Sequence, residues 1–175
     1  HPNNADLQLA VKSSAAPHVA AMLQQIFSQK GRPPADLSNH LLQLATTGGQ
    51  QEALAAVLND LTGNTQITTA KLTILAGLLD SLAARGQTLT AFRAKAVPAL
   101  QVALDKTDKL FAHARANPAR AASIALLGRG LKAHAADRTT LHTLLSATQP
   151  PTIQLAALRS LRALNAPDLS KQLLT

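Results

Sequence analysis

The stretch from residue 137 to residue 165, DRTTLHTLLSATQPPTIQLAALRSLRALN, decides the fold of this chain. It predicts two helices joined by a four-residue break, Thr148-Gln149-Pro150-Pro151, because prolines disfavour helix continuation. In the second helix, apolar residues recur at intervals of three and four, which is the period of one helix face. The inward stripe consists of Ile153, Ala156, Ala157, Leu161 and Leu164, with Leu155 and Leu158 widening it. A short helix, a proline-marked turn and an Ala/Leu-rich second helix make up the repeating unit of an α-solenoid.

Proline and glycine punctuate the rest of the chain in the same way, with helical periodicity between them. A Thr68–Thr69 cap indicates a helix start, and Gly48–Gly49, Gly63 and Gly86 indicate helix stops. The inward faces that this periodicity predicts include Leu100, Val102 and Phe111. The predicted helices are 4–13, 17–30, a third after Pro33–Pro34 that ends at 48–49, a fourth that ends at 63, 69–86, 90–96, a long helix 98–117, 118–131, the pair within 137–164, and a last helix that begins at Pro167.

Composition supports an all-α fold of one domain. The chain has 175 residues, 46% of them apolar, with three Phe, no Trp and no Tyr. Alanine and leucine, which dominate the apolar set, are strong helix formers. Cysteine is absent, which excludes disulfides and thiolate metal sites. No apolar run approaches the length of a membrane span. The chain begins without methionine and ends within a predicted helix at Thr175, so we expect residues 1–175 to be part of a larger protein.

The formal charge is +8, from 17 basic and 9 acidic residues. Such a balance is compatible with a solvated surface, with nucleic acid, with anionic lipid or with an acidic protein partner. Ten of the basic residues lie between Arg85 and Arg138, where they are interrupted by Asp105, Asp108 and Asp137. Lys106 and Lys109 lie directly beside the first two of these acidic residues. The candidate basic surface consists of Arg85, Arg93, Lys95, Arg115, Arg120, Arg129, Lys132, Arg159 and Arg162.

No catalytic, cofactor or metal motif stands out. The six histidines form no H-E-x-x-H arrangement, and none of them lies four residues from another histidine. The sequence Gly128-Arg129-Gly130 follows a predicted helix rather than a strand and lacks the third glycine of a dinucleotide fingerprint. Ser123 is not part of a Gly-x-Ser-x-Gly elbow. We therefore expect no catalytic residue, no cofactor and no metal in this region.

The block Gln149–Leu164, QPPTIQLAALRSLRAL, resembles the second helix of HEAT-like repeats, which begins Pro-x-x-aliphatic and continues Ala-Ala-Leu-x-x-Leu. Taken in order, the helical segments look like the HEAT-like region of large secreted bacterial dehydrogenase-like proteins. In that family the region lies between a β-propeller and a c-type cytochrome domain. HEAT units usually place Arg after the aliphatic residue, whereas this chain has Gln154 and Gln8 there, so the usual Asp–Arg ladder between repeats is not implied.

This resemblance implies a right-handed α-solenoid of roughly five HEAT-like helix pairs and an extracytoplasmic location, periplasmic or secreted. The function that we expect is structural: a non-catalytic spacer and scaffold that contacts neighbouring domains of the same chain or another protein. The alternative is a HEAT-like module that binds duplex DNA through a basic face. The absence of Tyr and Trp argues against single-strand binding, which uses aromatic stacking platforms.

Overall fold

The computed structural model describes residues 18–28, 35–63, 66–132 and 134–172. These residues contain helices and no strand, which confirms the all-α class for this part of the chain. The helix predicted over residues 4–13 lies outside the described residues. The helices are α1 Val19–Ser28, α2 Ala35–Thr47, α3 Gln51–Gly63, α4 Thr69–Ala83, α5 Leu89–Ala94, α6 Pro98–Asp105, α7 Asp108–Ala116, α8 Ala121–Ile124, α9 Ala135–Thr143 and α10 Pro151–Gln172.

Glycine and threonine set the ends of the helices in the first half of the chain. Gly49 and Gly86 have φ values of 66° and 65°, a left-handed conformation that L side chains rarely adopt. Directly after each glycine, a backbone N–H donates to a carbonyl five residues back, from Gln50 to Ala45 and from Gln87 to Leu82. This is the Schellman pattern that satisfies free carbonyls at a helix end. At the start of α4, the Thr68 hydroxyl accepts from the backbone N–H of Lys71. These stops and this start confirm the sequence prediction.

The long helix predicted over residues 98–117 is wrong, because α6 and α7 are separated at Lys106 and Thr107. Thr107 is fully buried, and its hydroxyl donates to the carbonyl oxygen of Leu104 at 2.6 Å. The backbone N–H of Thr107 also donates to Leu104, three residues back, so the chain tightens and leaves the α-helical ladder. Asp108 then opens α7, where its negative charge suits the helix N-terminus.

Two predictions for the last third of the chain are also wrong. Helix α8 covers Ala121–Ile124 only, instead of 118–131, because it passes into turns that end at Gly128 with φ 75°. By contrast, α10 is longer than expected and continues through Pro167, where a new helix was predicted. A proline removes one helical hydrogen bond, but its φ value is compatible with the helix.

The helices contact one another in two series. In one series α2 packs on α4, α4 on α8 and α8 on α10; in the other α1 packs on α3 and α3 on α6. Contacts between sequence neighbours join the two series, as at α1–α2, α2–α3, α7–α8 and α9–α10. Helices that are far apart in sequence therefore lie side by side, and this arrangement positions the polar contacts described below.

Apolar burial falls into two clusters. The larger runs from Val19 to Leu126 and includes fully buried leucines of α2, α3, α4, α6 and α7. The smaller joins α8, α9 and α10 and consists of Ile124, Leu127, Leu141, Ala157 and Leu161. Three residues that were predicted to face inward are exposed instead: Val102 at 55%, Leu155 at 48% and Leu158 at 52%. They lie on helix faces that no other described element covers.

Candidate interaction surface

The nine basic residues of the predicted surface divide into two groups. Six of them are bonded to other groups of this chain: Arg85, Arg93, Arg115, Arg120, Arg129 and Lys132. The other three, Lys95, Arg159 and Arg162, are exposed and make no hydrogen bond or ion pair within the described residues. The structure therefore does not bring the nine together as one free basic face.

Several bonded cations connect two helices that pack side by side although they are far apart in sequence. Arg85, just after α4, donates from Nη1 to the Thr46 carbonyl in α2 at 2.6 Å. Arg129, just after α8, donates from Nη1 to the Asp80 carboxylate in α4 at 2.7 Å. The same nitrogen contacts the carbonyl of Ala125 at 3.2 Å, and the Arg129 side chain is only 8% exposed. These cations stabilise the packing of α4 on α2 and of α8 on α4.

The second series of helices has the same kind of connection. Lys106 donates from Nζ to Asn59 Oδ1 at 2.9 Å, and Lys109 donates from Nζ to the carbonyl of Thr62. Both acceptors belong to α3, and both bonds span 47 residues of sequence. A lysine that satisfies the last carbonyls of a neighbouring helix also complements the negative end of that helix dipole.

We call this set of long-range bonds the cross-helix ladder. Its sequence separations range from 36 to 51 residues. It consists of Arg85–Thr46, Val97–Gln51, Lys106–Asn59, Lys109–Thr62, Arg120–Thr69, Arg129–Asp80 and Ser160–Ile124. The last is a buried bond of 2.9 Å from the Ser160 hydroxyl to a carbonyl of α8. Gln154, at the position where HEAT units usually have Arg, instead donates to the carbonyls of Ser146 and Gln149 before α10.

Asp137 organises the junction of α8 and α9. Its carboxylate is buried, accepts from the Gly128 N–H at 2.8 Å and lies 3.8 Å from Arg115 Nη1. A buried carboxylate requires such partners, since an unpaired charge in the interior is costly. Asp137 therefore has a structural role at this turn.

The other two ion pairs among the described residues are exposed. Arg93 and Asp105 form a two-pronged pair with both N···O distances at 2.7 Å. Hydrogen bonds from the Arg93 guanidinium lower the pKa of Asp105, and the same carboxylate raises the pKa of Arg93. The pair is therefore formed at neutral pH and weakens only as the pH falls through the lowered pKa of Asp105. Lys132 pairs with Asp108 at 2.5 Å.

Two of the three free cations lie on α10 beside two exposed leucines. Leu155, Leu158, Arg159 and Arg162 occupy positions i, i+3, i+4 and i+7, so their side chains lie on one face of the helix. The opposite face of α10 is buried through Ala157, Ser160 and Leu161. We call these four exposed residues the α10 face. Sequence reasoning identified the arginines but assigned the leucines to the core.

A groove of about 470 Å³ lies between the end of α4, the start of α5, the Gly128–Leu131 segment and α10. Its lining is mainly apolar, and its charged side chain, Arg129, is already held by Asp80. Within the described ranges, no group of three or more His, Cys, Asp or Glu side chains is placed to hold a metal ion. None of the helices described here combines the length and hydropathy needed to cross a bilayer.

Comparisons with protein families, with curated proteins and with solved structures find no match to this chain. The resemblance to HEAT-like repeats accordingly rests on the sequence, above all on the pattern of Gln149–Leu164.

Proposed function

We propose that this chain is a non-catalytic helical-repeat scaffold, which spaces other domains and offers them a binding surface. The observation that carries the proposal is the cross-helix ladder, in which the two bonded residues are 36 to 51 positions apart in sequence. A repeat array is stabilised by contacts between each unit and its neighbours, so polar bonds that recur at this spacing fit such an array.

The form of this scaffold is a right-handed HEAT-like α-solenoid; the helix contacts support the stacking, and the handedness comes from the resemblance to HEAT-like repeats. The series α2, α4, α8, α10 and the series α1, α3, α6 have the character of the two layers of a solenoid, in which equivalent helices stack on each other. The described helices then sort into four units, the third of which is divided into several short helices. The first predicted helix, residues 4–13, belongs to the roughly five pairs that the sequence suggests.

The resemblance to secreted dehydrogenase-like proteins supplies two further parts of the proposal. It places the scaffold between other domains of a larger polypeptide, and it suggests an extracytoplasmic location. Both come from the sequence pattern of the helical segments taken in order, among which Gln149–Leu164 is the most distinctive.

Duplex DNA binding is the less favoured alternative. Phosphate binding uses unbonded Lys and Arg side chains, which displace the counterions condensed on the DNA. Six of the nine candidate cations already bond within the chain, and four of these pair with carboxylates. The three that remain are too few for the dense basic surface that a duplex footprint uses.

The scaffold proposal is tested by removing the last unit. The larger apolar cluster has no buried residue beyond Leu126, and the smaller cluster joins Ile124 and Leu127 of the α8 segment to α9 and α10. We therefore expect a chain truncated after Lys132 to retain α1 to α7, whose buried apolar residues belong to the larger cluster. The absence of native cysteine allows spin labels at exposed Ala21→Cys and Ala91→Cys. A repeat scaffold predicts the same narrow distance distribution between these labels in the full and truncated chains. Loss of helicity or a broadened distribution would contradict it.

A further inference from the structure

The α10 face combines exposed apolar surface with unpaired positive charge. Leu155 and Leu158 are about half exposed, whereas the opposite side of the same helix packs on α8 and α9. Arg159 and Arg162 flank them with no partner among the described residues. Between Pro151 and Leu164 the sequence contains no acidic residue that could neutralise these arginines.

We propose that the α10 face binds an acidic amphipathic helix of another protein. Leucines at i and i+3 form a ridge that fits between the apolar side chains of a partner helix. The arginines at i+4 and i+7 lie one turn further along the same face, at the C-terminal end of the contact, where carboxylates of the partner can accept two-pronged hydrogen bonds. This inference rests on the scaffold function and names the surface and the partner chemistry that the scaffold uses.

A second copy of this chain is a poorer occupant than an acidic helix. Pairing two α10 faces would bring four arginines around one leucine seam, and like charges across an interface are unfavourable. The whole chain carries a formal charge of +8, which adds a repulsive field to that local cost.

An anionic membrane surface is also a poorer occupant. Helices that lie on membranes usually present a broad apolar face with aromatic anchors. The α10 face offers two leucines, and the chain has neither Trp nor Tyr. A short apolar ridge with positive charge at its C-terminal end is better matched by the groove and rim of a helix–helix contact.

The test uses the full chain and two synthetic peptides of about 20 residues, long enough to form a helix on binding. One has leucines at i, i+3, i+4 and i+7 with glutamates beside them, and the other has lysine in place of every glutamate. Fluorescence anisotropy should show that the glutamate peptide binds at least roughly tenfold more tightly, with a ratio that shrinks as salt is added. Arg159→Glu with Arg162→Glu should invert this preference.

Two variants separate the contribution of the leucines from that of general charge. Leu155→Ser with Leu158→Ser should weaken glutamate-peptide binding roughly tenfold while leaving the helical content unchanged, because both side chains are exposed. Lys95→Glu changes the third free cation, which lies outside α10, and should leave the affinity unchanged. Equal binding of the two peptides, or an equal effect of Lys95→Glu, would overturn the proposal.

The other occupants are outcomes of the same experiment. Binding to phosphatidylcholine vesicles with about one-third phosphatidylserine, without peptide discrimination, would assign the face to a membrane and sink the proposal. A dimer in analytical ultracentrifugation that Leu158→Ser dissociates would assign it to self-association, with the same consequence. The label distances that test the scaffold do not involve the α10 face, so failure of either idea can be told apart from failure of the other.

Discussion

Leu161→Ala should lower the free energy of unfolding by about 2–3 kcal/mol, the lower part of the range for buried leucines. Leu161 is 7% exposed and packs with Ile124, Leu127, Leu141 and Ala157 in the smaller apolar cluster. The substitution removes buried methyl groups and leaves a cavity whose cost depends on how far the surroundings can collapse. Because this cluster is small and partly open, its neighbours can relax more than those of the larger core.

Leu158→Ala is the matched control, since it makes the same chemical change three residues earlier in the same helix. Leu158 is 52% exposed, so less apolar surface returns to water on truncation. Alanine also has a slightly higher helix propensity than leucine, which offsets part of the loss. We expect a change within about 0.5 kcal/mol of zero, as is usual for surface substitutions.

Both variants are compared by urea unfolding, monitored by far-ultraviolet circular dichroism, and by amide hydrogen exchange in α10. Hydrogen exchange is needed because the smaller cluster can open before the larger core unfolds. Faster exchange in α10 for Leu161→Ala, with near-native exchange for Leu158→Ala, is the expected result. Equal destabilisation by the two substitutions, or a cost below about 0.5 kcal/mol for Leu161→Ala, would refute the packing described for α10.

Three further outcomes test the helix ends, the ladder and the basic surface. Gly86→Ala should cost about 1–2 kcal/mol because Gly86 has a positive φ, whereas Gly63→Ala should be neutral or stabilise by up to about 1 kcal/mol. An added Cβ meets nothing within 4 Å at either position, so only the backbone conformation distinguishes the two substitutions. Equal melting temperatures of the two variants would refute the backbone argument. Asp80→Asn should cost about 1 kcal/mol, since it leaves the mostly buried Arg129 without its carboxylate, while the exposed pair makes Asp105→Asn undetectable in the same urea titration. Labelled duplex DNA should bind more weakly than about 10⁻⁴–10⁻⁶ M at about 150 mM salt, and sub-micromolar anisotropy binding would favour the nucleic-acid alternative.

Local chemistry explains why much of the fold could be predicted from the sequence. The ends of α2 and α4 were found from Gly49 and Gly86, because a residue with positive φ is nearly always glycine. The start of α4 was found from Thr68, whose hydroxyl caps the first turn. Each of these signals acts within a few residues, so no knowledge of tertiary contacts was needed.

The predictions that failed depend on what lies beside a helix. Val102, Leu155 and Leu158 fall within apolar periods, but periodicity gives the width of a stripe and not the number of neighbours that cover it. The break before α7 lies at the buried Thr107, whose hydroxyl donates to the carbonyl of Leu104. Nothing in the residues around position 107 distinguishes that threonine from an exposed one.

The sequence contains a weak signal of which basic residues are bonded within the chain and which are not. Lys106 and Lys109 lie 47 residues after Asn59 and Thr62, so both bonds join α3 to the segment around the start of α7 at one constant separation. A repeat array places equivalent positions side by side at a near-constant separation, which makes repeated donor–acceptor pairs at one offset the pattern to look for. Residues that take part in such pairs stabilise the array, and those left over are the candidates for binding. On α10 this reasoning sets Ser160, which bonds back to α8, apart from Arg159 and Arg162, which have no partner among the described residues. The same helix thus packs on α8 and α9 through one face and presents the proposed binding surface on the other.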